Sequence, residues 1–234
     1  MKLKLGPSSM SVDFEFTLFK KHGKFTTIDN KLARQPENLG VYLSGGIDSA
    51  ALLCLVLAER KSLNLDAPVT AFTINKSDGP TYHAVNVLNK IREHFNIEIE
   101  HINDIPNDLD ADKKGNIGLE CMKYIHGLKP NMLLYMGINR MAPDDIRPFK
   151  ERLVINYGTD QVTKFYRAPF LYLHKPQILD IFYKLNCEDI IPYTHSCTVL
   201  KDGMCGACYS CKEREWGFSA LGKVDPAHQA GNTH

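Results

Sequence analysis

Leu39-Gly40-Val41-Tyr42-Leu43-Ser44-Gly45-Gly46-Ile47-Asp48-Ser49 is the stretch whose reading decides the fold. A short apolar run ends in two glycines and passes into an apolar-rich helical segment from Ser49 to Leu63. Without β-carbons, Gly45 and Gly46 let the backbone turn tightly and expose its N–H groups. The hydroxyls of Ser44 and Ser49 add donors, and the helix starting near Asp48 aims its positive dipole end at the same space. Together they form a cradle for an anion of phosphate size. Asp48 fits such a cradle only if it caps the helix or if a divalent cation bridges it to phosphate oxygens. A plain turn with Asp48 as the N-cap is the structural alternative.

Working outward, the chain repeats strand and helix. Val69–Ile74 reads as a second buried strand, and Tyr82–Phe95 as a helix with Val85, Leu88, Ile91 and Phe95 at helical spacing. Ile97–Ile102 alternates as a third strand, Pro130–Met141 reads as a largely buried helix, and Leu153–Asn156 as a further strand. This rhythm predicts an α/β fold, a Rossmann-like parallel sheet with helices on both faces. Ligands in such sheets lie beyond the carboxyl ends of the strands, where the Ser44 loop falls. Before the sheet, Val12–Phe19 and Phe25–Ile28 around Lys20-Lys21-His22-Gly23-Lys24 predict a β-hairpin. The polar segment Asn103–Gly118 reads as a solvated connection or a lid over the site. The organisation expected is an N-terminal extension over 1–38, a nucleotide-binding domain over 39–190 and a metal-binding segment over 191–234.

The charge balance, 28 basic against 27 acidic residues, speaks against a broad nucleic-acid-binding face and for a small-molecule substrate. The start of the sequence lacks the apolar core of a secretory leader, and the apolar stretch Ala50–Ala58 is too short to span a bilayer. A cytoplasmic location and no membrane partner are the expectations.

Four of the seven cysteines, Cys197, Cys205, Cys208 and Cys211, crowd together with spacing C-x7-C-x2-C-x2-C. In a reducing compartment this reads as a metal site, not a disulfide framework. Four thiolates suit a closed tetrahedral Zn²⁺ site, and an iron–sulfur cluster is the other reading the ligands allow. Cys54, Cys121 and Cys187 read as small core residues, with a persulfide carrier as the alternative.

The string Ser44-Gly45-Gly46-Ile47-Asp48-Ser49 resembles the signature of PP-loop ATP pyrophosphatases, which split ATP to AMP and pyrophosphate. It lacks the Gly-Lys-Ser/Thr ending of a Walker loop. With the cysteines, the chain resembles the 7-cyano-7-deazaguanine synthase (QueC-like) family as a divergent member. Ala168-Pro169-Phe170, Lys175-Pro176-Gln177-Ile178 and Tyr193-Thr194-His195-Ser196-Cys197 are similar to that family's run, and Cys205–Arg214, Gly217-Phe218 and Asp225-Pro226 continue it. The resemblance implies an adenine nucleotide alpha hydrolase-like fold. It further implies a ligase in which ATP and Mg²⁺ act on 7-carboxy-7-deazaguanine or a related deazapurine acid, with ammonia. Adenylation of the carboxylate gives an amide, and adenylation of the amide gives a nitrile. ATP would be bound at Ser44, Gly45, Gly46, Ile47, Asp48 and Ser49. The end of the next strand, Phe72 and Thr73, would help hold adenine or ribose, and Gly158 matches a later glycine; strand core is the alternative for Phe72. Asp48 and Lys175 are the catalytic candidates, with a solvated helix-start lysine as the alternative for Lys175. A homodimer is also implied.

The chain departs from the family pattern after Ile74, in Asn75–His83, and again in Gly158–Phe165, where Gly158 and Asp160 match but the family's Asp-Cys-Arg portion does not. The departures keep two other readings in play, a PP-loop tRNA-modifying enzyme and a catalytically altered ATP-binding zinc subunit.

Overall fold

The computed structural model describes residues 1–18, 38–74, 79–105, 124–125, 127–129, 132–143, 146 and 167–229. Strands β1 (Lys2–Leu5) and β2 (Val12–Glu15) pair antiparallel, with Leu3 opposite Phe14. The partner of the Val12 strand is therefore the segment before it, whereas Phe25–Ile28 lies outside the described residues. The ribbon is part of the main core: Leu5, Phe16 and Leu18 are buried in the same cluster as the first long helix.

That helix, α1 (Ile47–Ser62), follows strand β3 (Asn38–Tyr42) directly. Leu52, Leu53, Leu55 and Val56 are all fully buried, so α1 is a core helix with little solvent face. Strand β4 (Val69–Ile74), helix α2 (Gly79–Phe95), strand β5 (Glu100–Ile105) and strand β6 (Met132–Tyr135) follow. The four strands β3 to β6 form one parallel sheet of order β5-β4-β3-β6.

Side chains alternate across it. Leu39, Val41, Val69, Ala71 and Tyr135 enter the larger core with α1 and α2, while Phe72, Ile74, Met132 and Leu134 build a second core with Ile105 and Ile125 on the other face. Gly40 admits the Met132 side chain, whose sulfur would lie 2.4 Å from a β-carbon at that position.

Met132–Tyr135 corrects the helix expected over Pro130–Met141. A run of four apolar residues fits a buried strand or a buried helix equally by periodicity. The β3 edge decides it, with Leu39 opposite Leu133 and Val41 opposite Tyr135. Residues 106–118 and 153–156, expected as a loop or lid and as a strand, lie outside the described residues, apart from the first part of that loop, Asn103–Ile105, which belongs to β5.

The C-terminal part adds α3 (Lys175–Lys184), a 3-10 turn (Glu188–Tyr193), α4 (Tyr209–Ala220) and a last turn, α5 (Pro226–Gln229). Helices α3 and α4 meet at Gly217, where an added β-carbon would lie 2.7 Å from both Leu179 Cδ1 and Lys175 Cγ. No described helix is long and apolar enough to cross a membrane.

Candidate functional site

The Ser44–Ser49 loop leaves the carboxyl end of β3, an inner strand of the described sheet. Gly45 adopts φ +84°, and a β-carbon there would lie 1.9 Å from the carbonyl oxygen of Pro80 at the start of α2. Glycine is thus required twice over, by the backbone angle and by the packing. Ser49 Oγ donates to the Gly46 carbonyl at 3.0 Å and accepts from Ser44 N–H at 3.1 Å. The residue preceding the helix is Gly46, so Asp48 stands in the first turn and is not the N-cap. The opening N–H groups of α1, from Ile47 onward, have no acceptor within the helix. Such a turn binds anions through its N–H groups and dipole. The backbone after β6 closes one side, since a β-carbon on Gly137 would stand 3.0 Å from the Asp48 carbonyl carbon.

Beneath the loop lies a charged trio. Lys175, at the start of α3, is only 3% exposed. Its Nζ lies 2.5 Å from each Asp48 carboxylate oxygen and 3.0 Å from Glu213 Oε2. Its burial contradicts the solvated reading of this lysine. Burial works against the ammonium charge, but Asp48 and Glu213 outweigh it and raise the lysine pKa above its ordinary value. Burial raises the Asp48 carboxyl, Lys175 pulls it down, and Glu213 adds to the rise. One cation between two carboxylates leaves the trio with a surplus negative charge. The Asp48 side chain keeps 26% exposure, against 4% for Lys175 and 6% for Glu213, so it is the member of the trio that solvent reaches. Glu213 is itself held, its Oε1 accepting from Tyr209 O–H at 2.9 Å and from Asn139 Nδ2 at 3.2 Å.

The four cysteines of the cluster place their sulfurs within 4.8 Å of one another. A tetrahedron of thiolates about 2.3 Å from one ion has edges of about 3.8 Å, and Cys205 and Cys211 already stand 3.9 Å apart. The donor set fits a metal. Burial works against the Cys197 thiolate, but the Leu200 N–H pointing at its sulfur at 3.3 Å helps lower its pKa. The Cys208 N–H does the same for Cys205 at 3.3 Å. Burial and the neighbouring Cys208 push Cys211 up to about 12.

Two contacts tie this knuckle to the loop. His195 N–H donates to the Gly45 carbonyl at 3.0 Å. The His195 ring stacks on His83 of α2 with centroids 4.4 Å apart, and the two rings hydrogen-bond the carbonyls of Leu200 and Lys201. Arg214, fully buried, makes a bidentate pair with Asp225 at 2.6 and 2.9 Å and donates to the Thr194 carbonyl at 3.1 Å. It therefore holds the segment that carries His195.

Of the residues singled out in the sequence, Asp48 and Lys175 are brought together at the loop. Phe72 lies wholly inside the second core, and Thr73 spends its hydroxyl on the Leu43 carbonyl at 2.8 Å and on His101 at 2.9 Å. Gly158 lies outside the described residues. Glu213, His195, His83, Asn139, Gly137 and Tyr209 were not picked out as site residues. The signals for Glu213 are its place in the family-like run Cys205–Arg214 and two residues after Cys211, but neither says which group it meets.

The parallel sheet, with the Ser44–Ser49 loop at the carboxyl end of β3, is an arrangement similar to that of PP-loop α/β proteins. Residues 27–111 match the family model described as asparagine synthase, and residues 142–222 match that of queuosine biosynthesis protein QueC. The 7-cyano-7-deazaguanine synthase of Aliarcobacter butzleri (strain RM4018) is 40% identical over 100 residues, covering 40% of this chain and 43% of the relative. That of Nostoc punctiforme (strain ATCC 29133 / PCC 73102) is 34% identical over 100 residues, 41% of this chain and 43% of the relative. The later part of the chain is similar to QueC, and the match spans less than half the length of these curated relatives. Among solved structures, the U34-tRNA thiolase NcsA from Methanococcus maripaludis with its [4Fe-4S] cluster is 15% identical, at a TM-score of 0.46 over 86% of this chain and 72% of that one.

Proposed function

We propose that this chain is an ATP-dependent, AMP-forming carbon–nitrogen ligase acting on 7-carboxy-7-deazaguanine or a close deazapurine acid, with ammonia as the nitrogen source. The observation that carries the reading is the open first turn of α1 beside the Asp48–Lys175 pair, in a chain whose later part is QueC-like. A carboxylate oxygen is a poor leaving group. Its attack on the α-phosphorus of ATP breaks the bond to pyrophosphate and turns that oxygen into part of AMP. Ammonia then adds at the acyl carbon, AMP departs and a proton is lost, leaving the amide. A second AMP transfer to the amide oxygen, followed by loss of AMP and the nitrogen's protons, leaves the nitrile.

The N–H groups of Ile47 and Asp48 and the Ser44 and Ser49 hydroxyls would cradle the phosphates, and Lys175 would neutralise charge as it develops there. Mg²⁺ would be held at Asp48, the partly exposed carboxylate, and would supply charge neutralisation of the phosphate oxygens. Contact from the end of β4 would come from the backbone at Phe72 and Thr73, because the Phe72 ring belongs to the core; Gly158 is retained as a further nucleotide contact. Zn²⁺ is the metal proposed for Cys197, Cys205, Cys208 and Cys211, where it would hold the C-terminal segment folded. The thiolates of a four-iron cluster bind separate irons and would have to stand farther apart than these. A homodimer in the cytoplasm is the proposed working form.

The test incubates purified, metal-loaded protein with ATP, Mg²⁺, ammonia and 7-carboxy-7-deazaguanine, with mass spectrometry of the products. Amide, nitrile and AMP are expected. Absence of all three sinks the assignment.

A further inference from the structure

Lys175 sits between two carboxylates that belong to different parts of the chain. Asp48 comes from the loop and opens to solvent at 26%, while Glu213 comes from α4 and keeps only 6% side-chain exposure. The two contacts are unequal in kind. Asp48 grips the ammonium with both oxygens at 2.5 Å, and it is the more exposed of the two carboxylates, in the first turn of α1. Glu213 touches the ammonium with one oxygen at 3.0 Å, and its other oxygen is fixed by Tyr209 and Asn139. A divalent cation arriving with a nucleotide needs the Asp48 oxygens that the ammonium occupies. A buried ammonium cannot simply be released, because a buried charge left without a partner is strongly destabilising.

We propose that Glu213 is a positioning residue that draws Lys175 away from Asp48 when a magnesium nucleotide enters. This rests on the reading of the loop as a magnesium–nucleotide site. Glu213 offers the ammonium a ready, rigid second partner, so vacating Asp48 leaves no charge unpaired. The stem of Lys175 lies against Gly217, one turn further along α4, so the lysine moves along a surface that α4 provides. Without Glu213 the ammonium has Asp48 alone and competes with the incoming cation.

The experiment uses the full chain and its own reporter. Trp216 is the sole tryptophan, it lies on α4 between Glu213 and Gly217, and its ring stands 5.8 Å from that of His174, the residue before Lys175. ATP binding is titrated against Mg²⁺ by tryptophan fluorescence and by calorimetry, with no acid substrate present. Glu213→Gln is expected to raise the Mg²⁺ concentration for half-maximal ATP binding on the order of tenfold, as the loss of a nearby charge implies. Thermal unfolding and cysteine-bound metal serve as controls for the fold. The double variant Glu213→Gln/Lys175→Met removes the competing ammonium as well; its turnover is lost with Lys175, but its Mg²⁺ midpoint for ATP binding is expected to return towards the wild-type value. Tyr209→Phe, which frees one Glu213 oxygen, is expected to shift the same way by a smaller factor and stands in if Glu213→Gln misfolds.

Wild-type protein that binds no ATP in Mg²⁺ overturns the reading of the site. Wild-type protein that binds, with an unshifted Glu213→Gln (or an unshifted Tyr209→Phe where Glu213→Gln misfolds), overturns the role of Glu213 and leaves the site standing. A shifted single variant whose double is not restored also overturns it, because Glu213 would then act on the nucleotide by another route.

Discussion

Six consecutive residues, Ser44 to Ser49, make the loop, whereas the charges that meet it come from Lys175, 127 residues away in the chain, and from Glu213 on the helix that also carries Cys211. The loop is a local object. Its donors follow from two glycines, two serines and a helix start, and most of its internal hydrogen bonds stay within the six residues. The charged trio is a product of the whole fold. A protein of this kind can therefore keep its anion cradle while the electrostatics around it change through distant packing.

The sharpest way to break the contrast is to remove the remote half. Cys208→Ser is expected to lose the cysteine-bound metal and to cost several kcal/mol, roughly 3 or more, because metal binding is folding free energy in such segments. Hydrogen exchange should show α4 opening while β3 and β4 stay protected. Full stability without metal would mean that the cysteines hold nothing structural.

Next in size is the local half. Asp48→Asn is expected to cut AMP formation at least about 100-fold, within the range assigned to removal of one electrostatic group at a reaction centre. Its unfolding midpoint should move little, since Lys175 keeps Glu213 as partner. Unchanged turnover would place the nucleotide elsewhere.

Gly217→Ala tests the join between the two. A β-carbon 2.7 Å from Leu179 Cδ1 and Lys175 Cγ must displace one of them. A loss of about 1–3 kcal/mol in denaturant unfolding is expected, together with a weakened Mg²⁺ response. A stable variant with normal response would show that Lys175 does not depend on that crossing.

The smallest effect is a pH slope. Burial, aided by Arg92, lowers the His101 pKa below its ordinary 6.5. The folded state thus prefers the neutral ring. Its contribution is complete above the unfolded value and fades as pH falls below it towards the folded one. Unfolding temperature should decline from pH 7 to 5.5, and less so in His101→Gln. An identical slope in that variant would assign the proton uptake to other groups.

The sequence made β3, α1, β4 and α2 readable because each carries its pattern within its own length, and the same holds for the loop and the cysteine spacing. Met132–Tyr135 was not readable, since only the free edge of β3 makes it a strand. The hairpin was half readable: Val12 onward is a strand, but its partner could not be chosen from composition. Glu213 and His195 were invisible as site residues for a different cause. Their roles arise from which helix face meets α3 and which carbonyl lies under Gly45, and neither follows from local pattern.

The trio has a consequence for the order in which the protein is made. The four described strands are complete once residue 135 has emerged, and the loop at residue 44 precedes most of them in the chain. Asp48 still lacks its ammonium until Lys175 is synthesised, and Lys175 lacks its second carboxylate until Glu213 follows. On the ribosome, then, the cradle exists before its controls. A nascent chain would hold a bare carboxylate beside free helix amides, and a chain stalled before α4 would keep Lys175 locked to Asp48. Completion of α4 is the step that makes the loop releasable.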